Sequence, residues 1–274
     1  MKSGRKRMDI VFSIILWIGS ILVIYPLLMV LMTSFKEKRE ANRLSVALPR
    51  EWLFENYVEV LETGNVLRGL FNSVFVSVIA VFIVLATASM LSYAIVRRDT
   101  KACRMIDKLL TFGIIAPFAA MPTMTLLQSL GIYGSLWGLI FVYSALYLPF
   151  SGMMITSYIK GIPRDLDEAA AIDGATGMTL FLRITVPLLK PIAATVMVLV
   201  FMWSWNELQI PLYLLNSSAQ YTLPLTVYSF YGAYSTSWNL VCADVIVVSI
   251  PVVLLYVFAQ KYVISGMTAG AVKM

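Results

Sequence analysis

Six long apolar stretches, nearly free of charge, dominate the chain: residues 10–32, 70–96, 108–130, 136–158, 191–213 and 240–262. Each reaches the ~20 apolar residues that a helix needs to cross the hydrocarbon core. They are continuous runs rather than alternating ones, and a backbone inside lipid must satisfy its own polar groups, so they read as helices. Composition agrees, with 59% hydrophobic and only 13% charged residues among 274 and a mean hydropathy of +0.82. An ordinary soluble domain has about 25% charged residues. A soluble globular protein, a disordered chain and a coiled coil are thereby excluded. The expected fold is all-α: a polytopic membrane protein with six transmembrane helices, with too little chain between them for a large soluble domain.

The basic residues set the orientation. Fifteen of the 21 Lys and Arg fall in the N-terminal tail, in 97–108, in 159–190 and at the C-terminal end. Those segments alternate correctly with the spans, so they share one side, the cytoplasm, and both termini lie there. The other six basic residues lie between Lys36 and Arg68, where six glutamates balance them. Lys2, Arg5, Lys6 and Arg7 ahead of the first run resemble the start of a signal peptide. The run is too long for one and no small-residue cleavage site follows, so a retained first span is expected. The net charge of +6 is read as this one-sided surplus, with lipid and not nucleic acid as the partner.

Absences narrow the chemistry. There is no histidine, which removes His-based triads and His metal sites. Cys103 and Cys242 are far apart and read as two free thiols. The chain has no Gly-Lys pair, hence no P-loop for ATP.

Two stretches between spans are expected outside. Residues 34–69 carry Trp52, Leu53, Phe54, Asn56 and Tyr57 and read as an interfacial helix. Residues 208–243 contain no charge but seven aromatics, either a headgroup-level belt or a surface for an external partner or a sugar.

The most informative segment is 162–175, Ile-Pro-Arg-Asp-Leu-Asp-Glu-Ala-Ala-Ala-Ile-Asp-Gly-Ala. It reads as a short helix with written limits. Asp165 suits the N-cap, Glu168 stands at the capping-box spacing, and Asp167 and Glu168 suit the helix dipole. Three alanines favour helix, and Gly174 suits the left-handed position that ends it. A helix of about eight residues is roughly 12 Å long and marginal alone in water, so something must hold it.

Glu168-Ala169-Ala170, Asp173-Gly174-Ala175, then Ile184, Pro187, Lys190 and Pro191 resemble the EAA loop of ABC-importer permease subunits. Trp205-Asn206-Glu207 is similar to the Trp-Asn-acid motif of sugar permeases, and 260–273 resembles the terminal signature of the maltose-type second permease subunit. Lys261, Met267 and Met274 are mild departures from that signature. The resemblance covers roughly residues 70–274, and more weakly the first span and Asn56-Tyr57.

It implies a type I ABC importer permease fold in a prokaryotic plasma (inner) membrane. The organisation would be a first helix and external loop over 1–69, a core permease domain over 70–264 with its coupling loop at 160–190, and a tail over 265–274. The implied partners are a second permease subunit, two cytoplasmic ATPase subunits and an extracytoplasmic solute-binding protein. No cofactor is expected on this chain; ATP and magnesium would sit on the partner ATPase, and this subunit would be non-catalytic. Glu168, Ala169, Ala170, Asp173 and Gly174 are the expected ATPase contacts. Gly266, Thr268 and Gly270 are the expected tail contacts, in a small and flexible end.

Two acids lie inside apolar segments, Glu207 and Asp244. Glu207 is 16 positions past Pro191, roughly 24 Å up a helix. Intramembrane acids usually face the bundle interior or water. Trp205, Asn206, Glu207 and Asp244 are therefore candidates for a translocation pathway, against the plainer reading that the acids reach an interface or pair locally. Tyr133, Trp137, Tyr143 and Tyr147 could stack on sugars but read better as packing, and prolines 117, 122, 149, 211 and 251 interrupt the spans. A stand-alone secondary transporter or channel is the alternative; it would transport without an ATPase. An intramembrane enzyme has no recognisable nucleophile to support it.

Overall fold

The computed structural model describes residues 2–98, 100–172, 174–232 and 236–271, with side chains except at 2–11, Ile14, Ala171, Leu255 and 258–271. The apolar runs form helices, as the need to satisfy backbone groups internally requires. The elements are α1 (Lys2–Ser34), α2 (Glu55–Thr63), α3 (Val66–Arg97), α4 (Lys101–Ile115), α5 (Ala120–Ser129), α6 (Leu136–Lys160), α7 (Asp165–Ile172), α8 (Gly177–Leu188), α9 (Lys190–Asn206), α10 (Gln209–Leu214) and α11 (Trp238–Ala271). Among the described residues, three helices are long and apolar enough to cross a membrane: Ile15–Ser34 of α1, then α3 and α6. α8 and α9 meet that test as a pair bent by 74°.

The six apolar stretches do not each form one uninterrupted helix, and the sequence expectation is corrected on that point. The stretch 108–130 stops at Ile115, because Ala116 precedes Pro117 and takes an extended conformation (φ −66°, ψ 122°). Helix resumes at Ala120. The stretch 191–213 stops at Asn206, with Glu207 extended (φ −73°, ψ 123°) before α10 begins. Pro187 lies in the last turn of α8 and lacks an amide for its ladder, and Pro191 stands in the first turn of α9, where proline suits a helix start. A π-helical turn at Phe181–Thr185 precedes the bend they make. Residues 265–271, expected as a flexible tail, continue α11 as helix.

The chain divides into two units, 1–67 with 226–253, and 68–225 with 254–274. In the first, polar side chains tie the segment after α1 into place. Asn56 donates to the carbonyls of Ser34 (2.8 Å) and Lys36 (3.1 Å) and accepts from Asn239 Nδ2 (2.9 Å). Tyr57 and Ser34 share a hydroxyl–hydroxyl bond of 2.7 Å. Phe35 packs against Trp52, Phe54 and Tyr57, each with ring centroids 5.2 Å away. The fully buried Lys36 donates to the Ser45 carbonyl at 2.7 Å. The aromatic cluster thus gathers on Phe35, while Trp52 and Phe54 remain 49% and 64% exposed.

The second unit is built on α3 and α6. Ser77, Ala80, Val84, Ala88 and Ser92 of α3 are buried, close to every fourth residue, and so occupy one helical face. Small residues there allow close backbone approach, the main source of helix association where lipid is as apolar as leucine. Ser92 donates to the Gly152 carbonyl of α6 (3.0 Å). On α6, Leu139, Ile140, Tyr143, Ile155 and Ile159 are buried in the same core as Val196 and Val200 of α9. α4 also closes on α6: a Cβ at Gly152 would stand 3.1 Å from Leu110 Cδ1, so only glycine fits without repacking. Cys103 and Cys242 are both buried and free.

Candidate functional site

The first site is α7. Its start lies one residue earlier than the sequence suggested. The Arg164 carbonyl accepts from Asp167 (2.8 Å) and Glu168 (3.1 Å), so Arg164 occupies the N-cap and Asp165 is the first helical residue. Arg164 is held there because its guanidinium donates to the Val96 carbonyl at the end of α3 (3.3 Å). The acids of the first turn keep their favourable place near the dipole's positive end. The far end is as expected: Gly174 adopts φ +82°, and the Ala175 amide reaches back to the Ala170 carbonyl (2.9 Å), a Schellman closure. A Cβ at Gly174 would meet nothing within 4 Å, so glycine is required there by backbone conformation and not by space.

The two faces of α7 differ. Asp167 and Ala170 are half-buried against the bundle. Asp167 Oδ2 lies 2.6 Å from Arg97 Nε, and Arg97 also donates to the Ile162 carbonyl (3.4 Å). Asp165, Leu166, Glu168, Ala169 and Ile172 face outward, and Ile172 is 87% exposed. Of the residues expected to contact a partner, Glu168, Ala169 and Gly174 are open, Ala170 turns inward, and Asp173 lies outside the described residues. Sequence reasoning missed Leu166 and Ile172. The available signal was their spacing with Ala169, every third residue on one face.

The second site is a cavity of about 480 Å³ at the end of α9, lined by Leu146, Tyr147, Leu199, Met202, Trp203, Asn206 and Glu207. Glu207 is fixed by its own backbone: Oε1 accepts from the amides of Gln209 (2.9 Å) and Ile210 (3.1 Å), which opens α10. Asn206 Nδ2 donates to the Met202 carbonyl (2.8 Å), one turn back. Trp203 packs with Tyr147 (5.6 Å) and Phe150 (5.1 Å), so one wall is aromatic. α10 is held in turn by Tyr133, whose hydroxyl donates to the Tyr213 carbonyl (3.1 Å), and by the Gly134 amide on the Leu214 carbonyl (3.2 Å).

The cavity therefore brings together Asn206 and Glu207 of the expected pathway set, and not the other two. Trp205 is buried and stacked on Phe201 (5.3 Å, 23°). It sits two residues from Trp203, hence on the other side of the helix. Asp244 is fully buried in the first unit, accepting from Thr226 Oγ1 at 3.0 Å. The sequence does not single out Trp203, and it favours packing for Tyr147. The backbone at Gly266, Thr268 and Gly270 is helical, and their side chains lie outside the described residues.

An apolar cavity with a few convergent polar groups and an aromatic wall is suited to holding a polyhydroxylated solute. A short, rigidly capped helix with an open apolar face is suited to seating in another protein.

The family model for the binding-protein-dependent transport system inner membrane component matches residues 1–269. The multiple sugar-binding transport system permease protein MsmG of Streptococcus mutans is 34% identical over 267 residues, covering 95% of each chain. The probable starch degradation products transport system permease protein AmyC of Thermoanaerobacterium thermosulfurigenes is 32% identical over 256 residues, covering 93% of each. Among solved structures, a chain of a bacterial ABC transporter involved in the import of the acidic polysaccharide alginate aligns with a TM-score of 0.78 at 23% identity, over 94% of this chain and 96% of that one.

Proposed function

The chain belongs to the binding-protein-dependent transport system inner membrane component family, and we propose that it is a permease subunit of an ABC importer for a sugar or oligosaccharide. The names of its relatives MsmG and AmyC support the sugar class. In this reading the six apolar stretches, including the broken ones, all cross the bilayer, and both termini lie in the cytoplasm. A second permease subunit completes the pathway, two ATPase subunits bind ATP and magnesium, and an extracytoplasmic binding protein delivers the solute. The C-terminal end, with Gly266, Thr268 and Gly270, reaches the ATPases.

One observation carries the reading: α7 turns Leu166, Ala169 and Ile172 away from its own bundle, leaving an apolar face open on a polar loop. That face, with Glu168 and the Asp173-Gly174 turn, docks on the ATPase. Closure of the ATPase pair moves α7, and the attached helices tilt. Alternating access follows, with Glu207, Asn206, Trp203 and Tyr147 meeting the solute. The acid and amide accept and donate to hydroxyls, and the rings cover apolar sugar faces. This subunit does no chemistry; it converts motion into opening and closing.

The test is ATP-driven uptake of labelled oligosaccharides into proteoliposomes holding the assembled complex with its binding protein, paired with disulfide trapping from Ile172→Cys to cysteines placed on the ATPase surface. Trapping and ATP-dependent uptake are expected. Uptake by this chain alone without ATP would replace the reading with a stand-alone transporter. For the cavity, Glu207→Ala is expected to lower uptake at least several-fold while the complex still assembles, with Glu207→Gln less affected. Unchanged uptake kinetics in both variants would remove Glu207 from the pathway.

A further inference from the structure

We infer that Arg97 is a positioning residue for coupling: its ion pair with Asp167 transmits the displacement of α7 into α3. The inference rests on the docking role proposed for α7. That helix has eight residues and could not hold its shape in isolation. Its chain connections run back to α6 and forward to α8. Its side-chain anchors go elsewhere, to the last turn of α3. Arg97 Nε meets Asp167 Oδ2 at 2.6 Å, Arg97 donates to the Ile162 carbonyl, and Arg164 donates to the Val96 carbonyl. Farther along, Phe181 of α8 packs on Tyr93 of α3, one turn before Arg97, with centroids 5.3 Å apart.

The pair is also well placed electrostatically. Arg97 sits in the last turn of α3 and Asp167 in the first turn of α7, so each charge faces the helix end that favours it. The two side chains are only 11% and 18% exposed. At that burial the pair is screened less than a surface contact, and removing one partner strands the other. α3 carries the buried stripe from Ser77 to Ser92 that packs the second unit. A push on α7 therefore enters the bundle through Arg97 as well as along the chain.

The experiment measures ATP hydrolysis and solute uptake together in proteoliposomes of the assembled complex, for Asp167→Asn, Arg97→Gln and the charge-exchanged Arg97→Asp/Asp167→Arg double variant. The expected result is uptake per ATP lowered about tenfold in each single variant, within the range usual for coupling between sites, with part of it recovered in the double variant, which restores the pair but neither its match to the two helix ends nor the bond to Ile162. Unchanged uptake per ATP in Asp167→Asn would overturn the inference. So would a double variant no better than the singles, which assigns the pair to fold stability alone. If a single variant fails to assemble, Arg97→Lys, which keeps the charge but loses the bond to Ile162, is read in its place, and unchanged uptake per ATP there counts against the inference. Trapping of Ile172→Cys to the ATPase in the same variants separates the two levels: lost trapping in the otherwise wild-type complex defeats the docking role, whereas retained trapping with unchanged uptake per ATP defeats only the role of Arg97.

Discussion

α2 and α7 are two short helices of almost equal length, nine and eight residues, and they are held by different chemistry. α2 turns its most informative side chains inward. Asn56 is 5% exposed with both ends of its amide bonded, and Val60 is fully buried. α7 turns Asp167 and Ala170 inward and leaves Leu166, Ala169 and Ile172 uncovered. A marginal helix can be stabilised by either arrangement. α2 also leaves Val58 (53%) and Leu61 (45%) uncovered, so the contrast lies in the anchor: a neutral amide bonded to three neighbours holds α2, whereas a charged pair reaching another helix holds α7.

Substitutions can break or sharpen that contrast. The largest effect is expected from Leu166→Asp/Ile172→Asp, which puts two charges on the open face of α7. Burying a Leu or Ile side chain contributes about 1.5–3 kcal/mol, so binding-protein-stimulated ATPase activity and uptake should both fall more than ~100-fold while the subunit still inserts. Wild-type uptake in this variant would mean the face is merely solvated. Next is Asn56→Ala in α2. It leaves the Asn239 side chain without its partner and is expected to lower stability by about 2 kcal/mol, read as a lower unfolding midpoint, with uptake per ATP unchanged in the folded fraction. The smallest is Gly174→Ala, which forces a Cβ into a left-handed conformation at a cost of about 1 kcal/mol. Because the added methyl meets nothing within 4 Å in the isolated chain, any loss of ATPase docking well beyond that strain would place a partner surface against Gly174.

Much of this architecture could be read from the sequence, and what was missed has physical causes. The limits of α7 were legible because alanine propensity and the glycine end signal act within one turn. Its exact start was not, because Arg164 is fixed by the Val96 carbonyl, 68 residues away in the chain. Glu207 was visible as an acid in an apolar run. Its hold on the Gln209 and Ile210 amides was not, since hydropathy alone does not show that α9 stops at Asn206. Trp205 drew attention as part of a motif, yet Trp203 reaches the cavity. Two tryptophans two residues apart on a helix face different ways, and only tertiary packing decides which way is the cavity. The exposed aromatics at 52–54 were legible as surface, but that Trp52, Phe54 and Tyr57 gather on Phe35 was not, because composition does not show which neighbour a ring meets.

Pro187 and Pro191 give the second unit a lasting mechanical property. The amide hydrogens those two residues lack cannot be recovered by any rearrangement of the main chain, which favours an elbow between α8 and α9 over one straight rod. In the proposed coupling, motion delivered along the segment that begins at Gly177 leaves along Lys190–Asn206 in a different direction, turned through the 74° corner toward the ring of Trp203 and the carboxylate of Glu207.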